Sequence, residues 1–521
     1  MSRRQIILIT AGTLIGAAIL IPVIRHYQLR FAVEKYRAEL KARGDLAELA
    51  QVLPPPAKPE GNGTELFLKA APLVDEDKTF LRTNPIPAMK MVAPGKALVC
   101  ASQPEVSDPG EYGFTNSWAE AQAAVEQNQE ALTLLRQIIN RPNLDFHIRY
   151  EQGFYDGNFF TNLQLVGLRQ AALHLKSAAV VDLNQGNPES AVENVRAALA
   201  LANAMQSARL EITELVRIAI AAIAQGATWE ILQTTNLTDA QLSTLQSDWT
   251  RLDFLQGHKD ALNMENIVGD IEVARWRSSN REIRKLVDLF GNASKVLGVD
   301  EDYEPTLFQR VKLSGQIFLW RYWWSYSDEL RSLKGQMALM ETARSAGTNG
   351  AFLPAIKQQK ARLDELGISN LGDAFASVFS GKLNFHSMLS DSILILGNSF
   401  KKVMNAECSQ RMTVTAIALK RFQLKHGNLP EKLADLSPEF LVSVPVDVVD
   451  GQPLHYRKNT DGTFVLYSVG ENGVDDGGDS SSEKAATSSN FNWQNPRALD
   501  WVWPQPATDA EIQYFYQHLP K

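Results

Sequence analysis

Residues 162–198 read NLQLVGLRQAALHLKSAAVVDLNQGNPESAVENVRAA, and the architecture turns on this stretch. From Asn162 to Asn184 it is rich in alanine and leucine and free of proline, a composition that loses little on becoming helical. Gly186 interrupts it. Asn187 then suits an N-cap, because its side-chain oxygen can accept an orphan backbone N–H. Pro188 falls in the first turn of the next helix, where a missing N–H costs nothing. The stretch predicts two antiparallel helices joined by a tight turn.

Outward from this hairpin, helical patterning dominates from about Ser117 to Phe400. Ala179, Gly186, Ala191 and Ala198 recur at intervals that resemble one tetratricopeptide repeat, in which small residues let paired helices approach closely. No second convincing copy follows, so a generic hairpin within a larger bundle is the competing reading. Thr238 and Gln241 fit a capping box, with Leu237 and Leu242 placed as a hydrophobic staple. Further amphipathic helices are expected across Asp260–Leu289, Thr306–Arg344 and Leu353–Leu366. Residues Leu215–Leu232 are apolar but carry Arg217 and Glu230, which predicts a buried helix rather than a membrane span.

The N-terminal side differs. Ile6 to Ile24 runs for about 19 residues without a charge, enough to cross roughly 30 Å of hydrocarbon as a helix. Arg3, Arg4 and Arg25 flank it, and no small-residue cleavage site closes it, so an uncleaved anchor is expected. Leu29, Val33, Tyr36 and Leu40 then fall on one helical face, which would pack on the chain's own body or on a partner helix. Gly44 ends this helix. Leu53-Pro-Pro-Pro-Ala-Lys-Pro-Glu-Gly-Asn-Gly-Thr64 reads as a linker, and residues 65–115 as a segment wrapping the next domain. Arg25, Arg30, Lys35, Arg37, Lys41 and Arg43 favour a cytoplasmic body by the positive-inside rule, although Glu34 and Glu39 interleave with them.

A chain of 521 residues with 45% hydrophobic and 21% charged residues can bury a large core in two or three domains. The net charge of −7 argues against nucleic-acid binding, which needs a basic face. Cys100 and Cys408 form no metal or redox motif; either a long-range disulfide or two buried free thiols is compatible with them.

Motifs for zinc hydrolysis, serine nucleophiles, phosphate loops and dinucleotides are missing from the sequence. The eight histidines are scattered. Glu211, Glu214 and Arg217 share a helical face, as do Glu265 and Asp270 more loosely; internal ion pairs or solvated faces account for such groups more often than acid–base catalysis. Six aromatics crowd into Phe318-Leu-Trp-Arg-Tyr-Trp-Trp-Ser-Tyr326. They cannot all face one side of a helix, so Trp320, Trp323 and Trp324 are candidates for an interaction surface, against a reading as core.

From about Met404 a helix passes through Cys408, Met412, Ala416, Leu419 and Phe422 and ends at Lys425-His426-Gly427, before Pro430. A short helix at Glu431–Leu436 precedes Pro445-Val-Asp447. Two strands, Leu454–Arg457 and Thr463–Ser468, flank Asn459-Thr-Asp-Gly462, a strong hairpin signal. The acidic loop Glu471-Asn-Gly-Val-Asp-Asp-Gly-Gly-Asp479 follows.

This linked series resembles the globular domain of the type II secretion major pseudopilin: long helix, glycine-x-x-proline break, proline–aspartate segment, strand ending in tyrosine–serine, acidic loop. The resemblance covers roughly the last 115 residues. It implies an exported body and a calcium site at Asp475, Asp476 and Asp479, with Asp500 as a further ligand; an acidic loop binding nothing is the alternative. The N-terminus departs from the family, since it has neither the glycine cleavage point nor the membrane glutamate, so assembly into a fibre is not expected.

The expected fold is mainly α. It comprises an anchor and juxtamembrane helix (1–52), a linker and wrapping segment (53–115), a helical body (116–403) and an α/β module with an antiparallel sheet (404–521). The expected function is a non-catalytic, membrane-tethered envelope scaffold with a protein partner. The alternatives are an envelope hydrolase assembled from distant helices and a component of a secretion-like apparatus.

Overall fold

A computed structural model describes residues 3–45, 48–75, 85–108, 113–153, 164–285, 307–368, 388–482 and 498–518. The longer helices are α1 Arg3–Ala42, α2 Thr64–Asp75, α3 Trp118–Gln127, α4 Gln129–Gln137, α5 Leu165–Asn184, α6 Pro188–Ala204 and α7 Glu211–Leu232. They continue as α8 Asp239–Thr250, α9 Phe254–Ser278, α10 Leu307–Leu319, α11 Ser325–Asn349, α12 Phe352–Glu365, α13 Met388–His426 and α14 Asp509–Gln517. A π-helical turn, Trp320–Trp324, joins α10 to α11. The protein is mainly helical, with small sheets. The helix ends expected at Leu289 and Thr306 lie outside the described residues.

The hairpin forms as its sequence dictates. Gly186 takes φ +75°, and a Schellman motif closes α5: Asn187 N–H bonds Asp182 O at 2.8 Å and Gly186 N–H bonds Leu183 O at 3.0 Å. Asn187 then caps α6 by accepting from Ser190 N–H, and Pro188 occupies its first turn. Ala171, Ala172, Ala178, Ala179, Ala191 and Ala198 are all buried along the hairpin, which keeps the α5 and α6 axes close. At α8, Thr238 and Gln241 make the expected reciprocal cap, with Leu237 and Leu242 both buried.

Among the described residues, α7 is the helix long and apolar enough to cross a membrane, and two-thirds of its apolar part is buried inside the protein. It is a core helix, with Arg217 and Glu230 fully buried on it. Glu230 accepts backbone N–H groups from Met89 at 2.8 Å, Cys100 at 2.9 Å and Ala101 at 3.2 Å. One carboxylate therefore staples the segment of residues 85–108 to the helical body. Phe67 and Val74 on α2 and Ile86 in this segment are fully buried, so the chain ahead of the helical body contributes to the core as well as wrapping it.

α13 runs for 39 residues, from the body into the C-terminal module, and ends at Gly427 with φ +76°. Strands β5 His455–Lys458 and β6 Phe464–Ser468 pair antiparallel, His455 opposite Tyr467, around a turn in which Gly462 takes φ +83°. Strand β7, Trp501–Val502, adds to β6. Earlier in the chain, β1 Lys90–Ala93 and β2 Lys96–Leu98 form a hairpin, as do β3 Val106–Asp108 and β4 Phe114–Asn116. The last strand, β8 Gln505–Pro506, pairs parallel with β2, joining the C-terminal module to the wrapping segment. One hydrophobic cluster extends from Phe67 through α5–α8 and α13 to Trp501 and Trp503.

Candidate functional site

α1 is a single 40-residue helix. Most side chains of the Ile6–Ile24 stretch lie outside the described ones; Leu20, Ile21, Val23 and Ile24 are exposed, as are Tyr27 and Phe31. Beyond them the helix docks. Val33 and Leu40 are buried, and Leu40 and Tyr36 join a cluster with Met337, Leu339 and Met340 of α11. The apolar stripe therefore packs on the chain's own body.

A charged clamp fixes this contact. The Arg37 guanidinium donates to both carboxylate oxygens of Asp270 on α9, at 2.8 Å each, and to Glu329 Oε1 on α11 at 2.6 Å. Glu329 also pairs with Arg277, whose guanidinium donates to Ser325 Oγ at 3.1 Å and lies 3.9 Å over the Tyr326 ring. Burial raises the Asp270 pKa, and Arg37 pulls it back. Burial also disfavours charge on Arg37, but Asp270 and Glu329 outweigh that and hold it cationic. Arg37 shares the helical face of Val33 and Leu40 (spacings of four and three), and that spacing was the signal available in the sequence.

The aromatic run lies at the same end. Its π turn splits the residues between two environments. Trp320 is fully buried and belongs to the core, which corrects its assignment to an interaction surface. Trp323 is 45% exposed, Trp324 is half-buried, and Tyr322 and Phe318 are exposed with their rings 4.8 Å apart. His26 of α1 meets Tyr326 edge-on at 4.9 Å.

A second polar group lies inside the body, between α7 and α9. Arg217 donates to Glu214 Oε2 at 2.5 Å and to Ala202 O at 2.8 Å; His258 Nδ1 lies 2.7 Å from Glu211 Oε2. Glu265 Oε1 accepts the Glu211 backbone N–H at 2.8 Å. Burial pushes the Glu265 pKa up to about 8, reinforced by the Glu211 carboxylate. Burial pushes Glu214 up to about 7 against the pull of Arg217. Gly257 makes the room, since a side chain there would collide with Glu214 and Arg217. The sequence marked Glu211, Glu214 and Arg217 as one face. His258, 47 residues away, carried no local sign of its pairing.

Raised carboxyl pKa values can support acid–base chemistry where substrate can reach them. Two clefts of about 220 and 180 Å³ are lined elsewhere. The first includes Cys100, Gln103, Trp118 and Tyr516, and the second Lys420, Gln423, Trp503 and Gln505. Neither includes Glu214 or Glu265. Cys100 and Cys408 are buried free thiols, and burial raises both pKa values.

In the acidic loop, each aspartate has its own partner. Asp475 Oδ1 accepts from the Tyr467 hydroxyl and Gly477 N–H, both at 2.9 Å, and these hold its pKa low. Asp476 accepts from Asn472 at 2.8 Å, and Asp479 from Ser481 N–H at 2.8 Å. Asp500 is buried and accepts from Gly478 N–H at 2.7 Å. Among the described residues, no three His, Cys, Asp or Glu side chains are grouped to hold a metal ion.

No protein-family model, curated protein or solved structure matches this chain.

Proposed function

We propose that this protein is a non-catalytic, membrane-tethered scaffold of the cell envelope, spanning the bilayer once through Ile6–Ile24 and holding its helical body outside the cytoplasm for a protein partner. The carrying observation is the Arg37 clamp on a helix that continues from the uncharged stretch into the body. Such a clamp fixes the body's attitude to whatever holds the first half of α1, which suits a scaffold. The α5–α6 hairpin resembles a single tetratricopeptide unit. Its small residues face the core, so any partner surface lies elsewhere on the body.

The C-terminal helix, hairpin and acidic loop follow the order of a pseudopilin domain, and on that resemblance a link to a secretion-like apparatus is the second reading. On the same resemblance, Asp475, Asp476, Asp479 and Asp500 are the candidate calcium ligands, since a carboxylate oxygen that accepts one hydrogen bond leaves its partner oxygen able to bind an ion. The hydrolase reading has raised-pKa carboxyls in its favour: Glu214 is buried and Glu265 is partly exposed, and neither lines either cleft.

The test is alkaline carbonate extraction of native membranes, combined with a C-terminal reporter active on one side of the bilayer only. Retention in the pellet with an extracytoplasmic reporter supports the proposal. Release into the supernatant removes the span, and a cytoplasmic reporter removes the orientation.

A further inference from the structure

The two elements at the anchor end of the molecule run parallel. His26 meets Tyr326, Arg37 meets Glu329, and Asp45 Oδ1 accepts from Arg344 Nη1 at 2.6 Å, so sequence number rises in the same direction along α1 and α11. α10 and the π turn precede α11 and therefore extend from Tyr326 toward the uncharged end of α1. At about 1.5 Å per residue, Trp323 lies about 4 Å, Tyr322 about 6 Å and Phe318 about 12 Å beyond the level of His26. His26 itself stands two residues past Ile24, where the uncharged stretch ends. These three aromatics are thus displaced toward the level at which the apolar stretch begins.

Their exposure fits that level. Phe318 is 58% exposed, Tyr322 48% and Trp323 45%. On α1, Leu20, Ile21, Val23, Ile24, Tyr27 and Phe31 are exposed at the same end. Exposed apolar side chains on two neighbouring elements, grouped at one end, require a covering. The side-chain order is that of a bilayer boundary: apolar Phe318 deepest, amphipathic Tyr322 and Trp323 above it, and the Arg37 and Arg277 clamp above those. The π turn contributes directly. Its extra residue per turn lets Trp320 enter the core while Tyr322 and Trp323 remain outside.

We propose that Phe318, Tyr322 and Trp323 form a second membrane contact, seated in the headgroup and upper acyl region of the bilayer that holds α1. This rests on the reading of Ile6–Ile24 as a span. With two contacts the body is held against the membrane surface in one rotational setting, which a single helix would leave free.

The test uses the full chain reconstituted in phosphatidylcholine vesicles, with an environment-sensitive nitrobenzoxadiazole label on an introduced thiol. Cys408 is buried, and Cys100, which is buried but lines a cleft, is replaced in the labelling background by Cys100→Ser. The variants are Phe318→Cys and Tyr322→Cys, with Leu20→Cys reporting the anchor and Val442→Cys, 97% exposed in the C-terminal module, reporting water. Because the chosen positions are exposed, the labels leave the core intact, and matching unfolding temperatures would verify this. Acyl-brominated lipid is expected to remove most emission from labels at 20, 318 and 322 and none at 442. Quenching at 20 with aqueous iodide quenching at 318 and 322 overturns the second contact and leaves the span standing. Labels at 318 and 322 shielded from both quenchers mean that protein, such as a second copy, covers the face, which also overturns it. No lipid quenching at 20 removes the span, and this contact with it.

Discussion

Substituting Arg37 tests the clamp directly. Arg37→Ala removes a bidentate pair to Asp270 and a bond to Glu329, whose side chains are 18% and 4% exposed. Stranding one partner of a buried ion pair costs about 3–5 kcal/mol. The Arg37 side chain is itself 29% exposed, and Glu329 keeps Arg277, so screening and the remaining partner reduce this to about 2–3 kcal/mol. Arg37→Lys retains charge but loses the fork, and should recover less than half of the loss. Asp270→Asn in the Arg37→Ala background removes the stranded carboxylate. The double variant should therefore recover stability relative to Arg37→Ala, with a coupling of about 1–2 kcal/mol. Urea unfolding of the detergent-solubilised chain measures the cycle, and limited proteolysis beyond Ala42 reports undocking of α1. If Arg37→Ala and the double variant both match the wild type within about 0.5 kcal/mol, the clamp does not hold the helix.

Glu265 predicts a pH dependence. Its pKa in the folded protein is about 8 against an ordinary 4.5, so between those values the folded state binds the extra proton. Its contribution is present at low pH and is lost as pH rises through about 8. Calorimetry should show the unfolding temperature falling from pH 6 to pH 9, and Glu265→Gln should flatten that fall; an unchanged slope in the variant would reject the assignment. Gly257→Ala should destabilise by about 1–3 kcal/mol through collision with the Glu214–Arg217 pair, whereas Gly269→Ala, on the same helix with open space around it, should be neutral or stabilising. Equal unfolding midpoints for the two would contradict the packing described. Glu230→Ala leaves three backbone N–H groups without their acceptor and should lower stability by about 3 kcal/mol or more, with early proteolysis between residues 85 and 108 as the local readout. Added calcium should raise the unfolding temperature if the Asp475–Asp479 loop binds it. The same temperature in calcium and in chelator removes that site.

Local structure was legible where one residue's chemistry settles a backbone choice. Gly186, Asn187 and Pro188 specify a helix end, a cap and a first turn within three positions, and the structure uses each accordingly. Gly427 and the Asp461-Gly462 turn are of the same kind. The α7 helix was legible as buried because Arg217 and Glu230 would be too costly in lipid and yet could find partners in a core. What could not be read was long-range. Glu211 and His258 are adjacent only because α7 and α9 pack, and β8 returns to β2 across about 400 residues of chain. The aromatic run was legible in composition but not in orientation, because its π turn departs from the 3.6-residue period on which a facial assignment depends. That is why Trp320 read as surface and lies in the core.

The distribution of buried charge bears on function. Glu230 receives three backbone N–H groups, Asp328 receives Leu389 and Ser390 N–H, and Glu407 receives Phe254 and Leu255 N–H. Each carboxylate thus holds the start of a helix or a strand segment against a distant helix, and burial raises all three pKa values. A raised pKa here follows from enclosure around a structural hydrogen bond, so it does not by itself mark a reacting group. The Glu214–Arg217 and Glu211–His258 pairs obey the same logic between α7 and α9, remote from the residues lining either cleft. Placed as they are, these groups hold long helices in register from α1 to the C-terminal sheet.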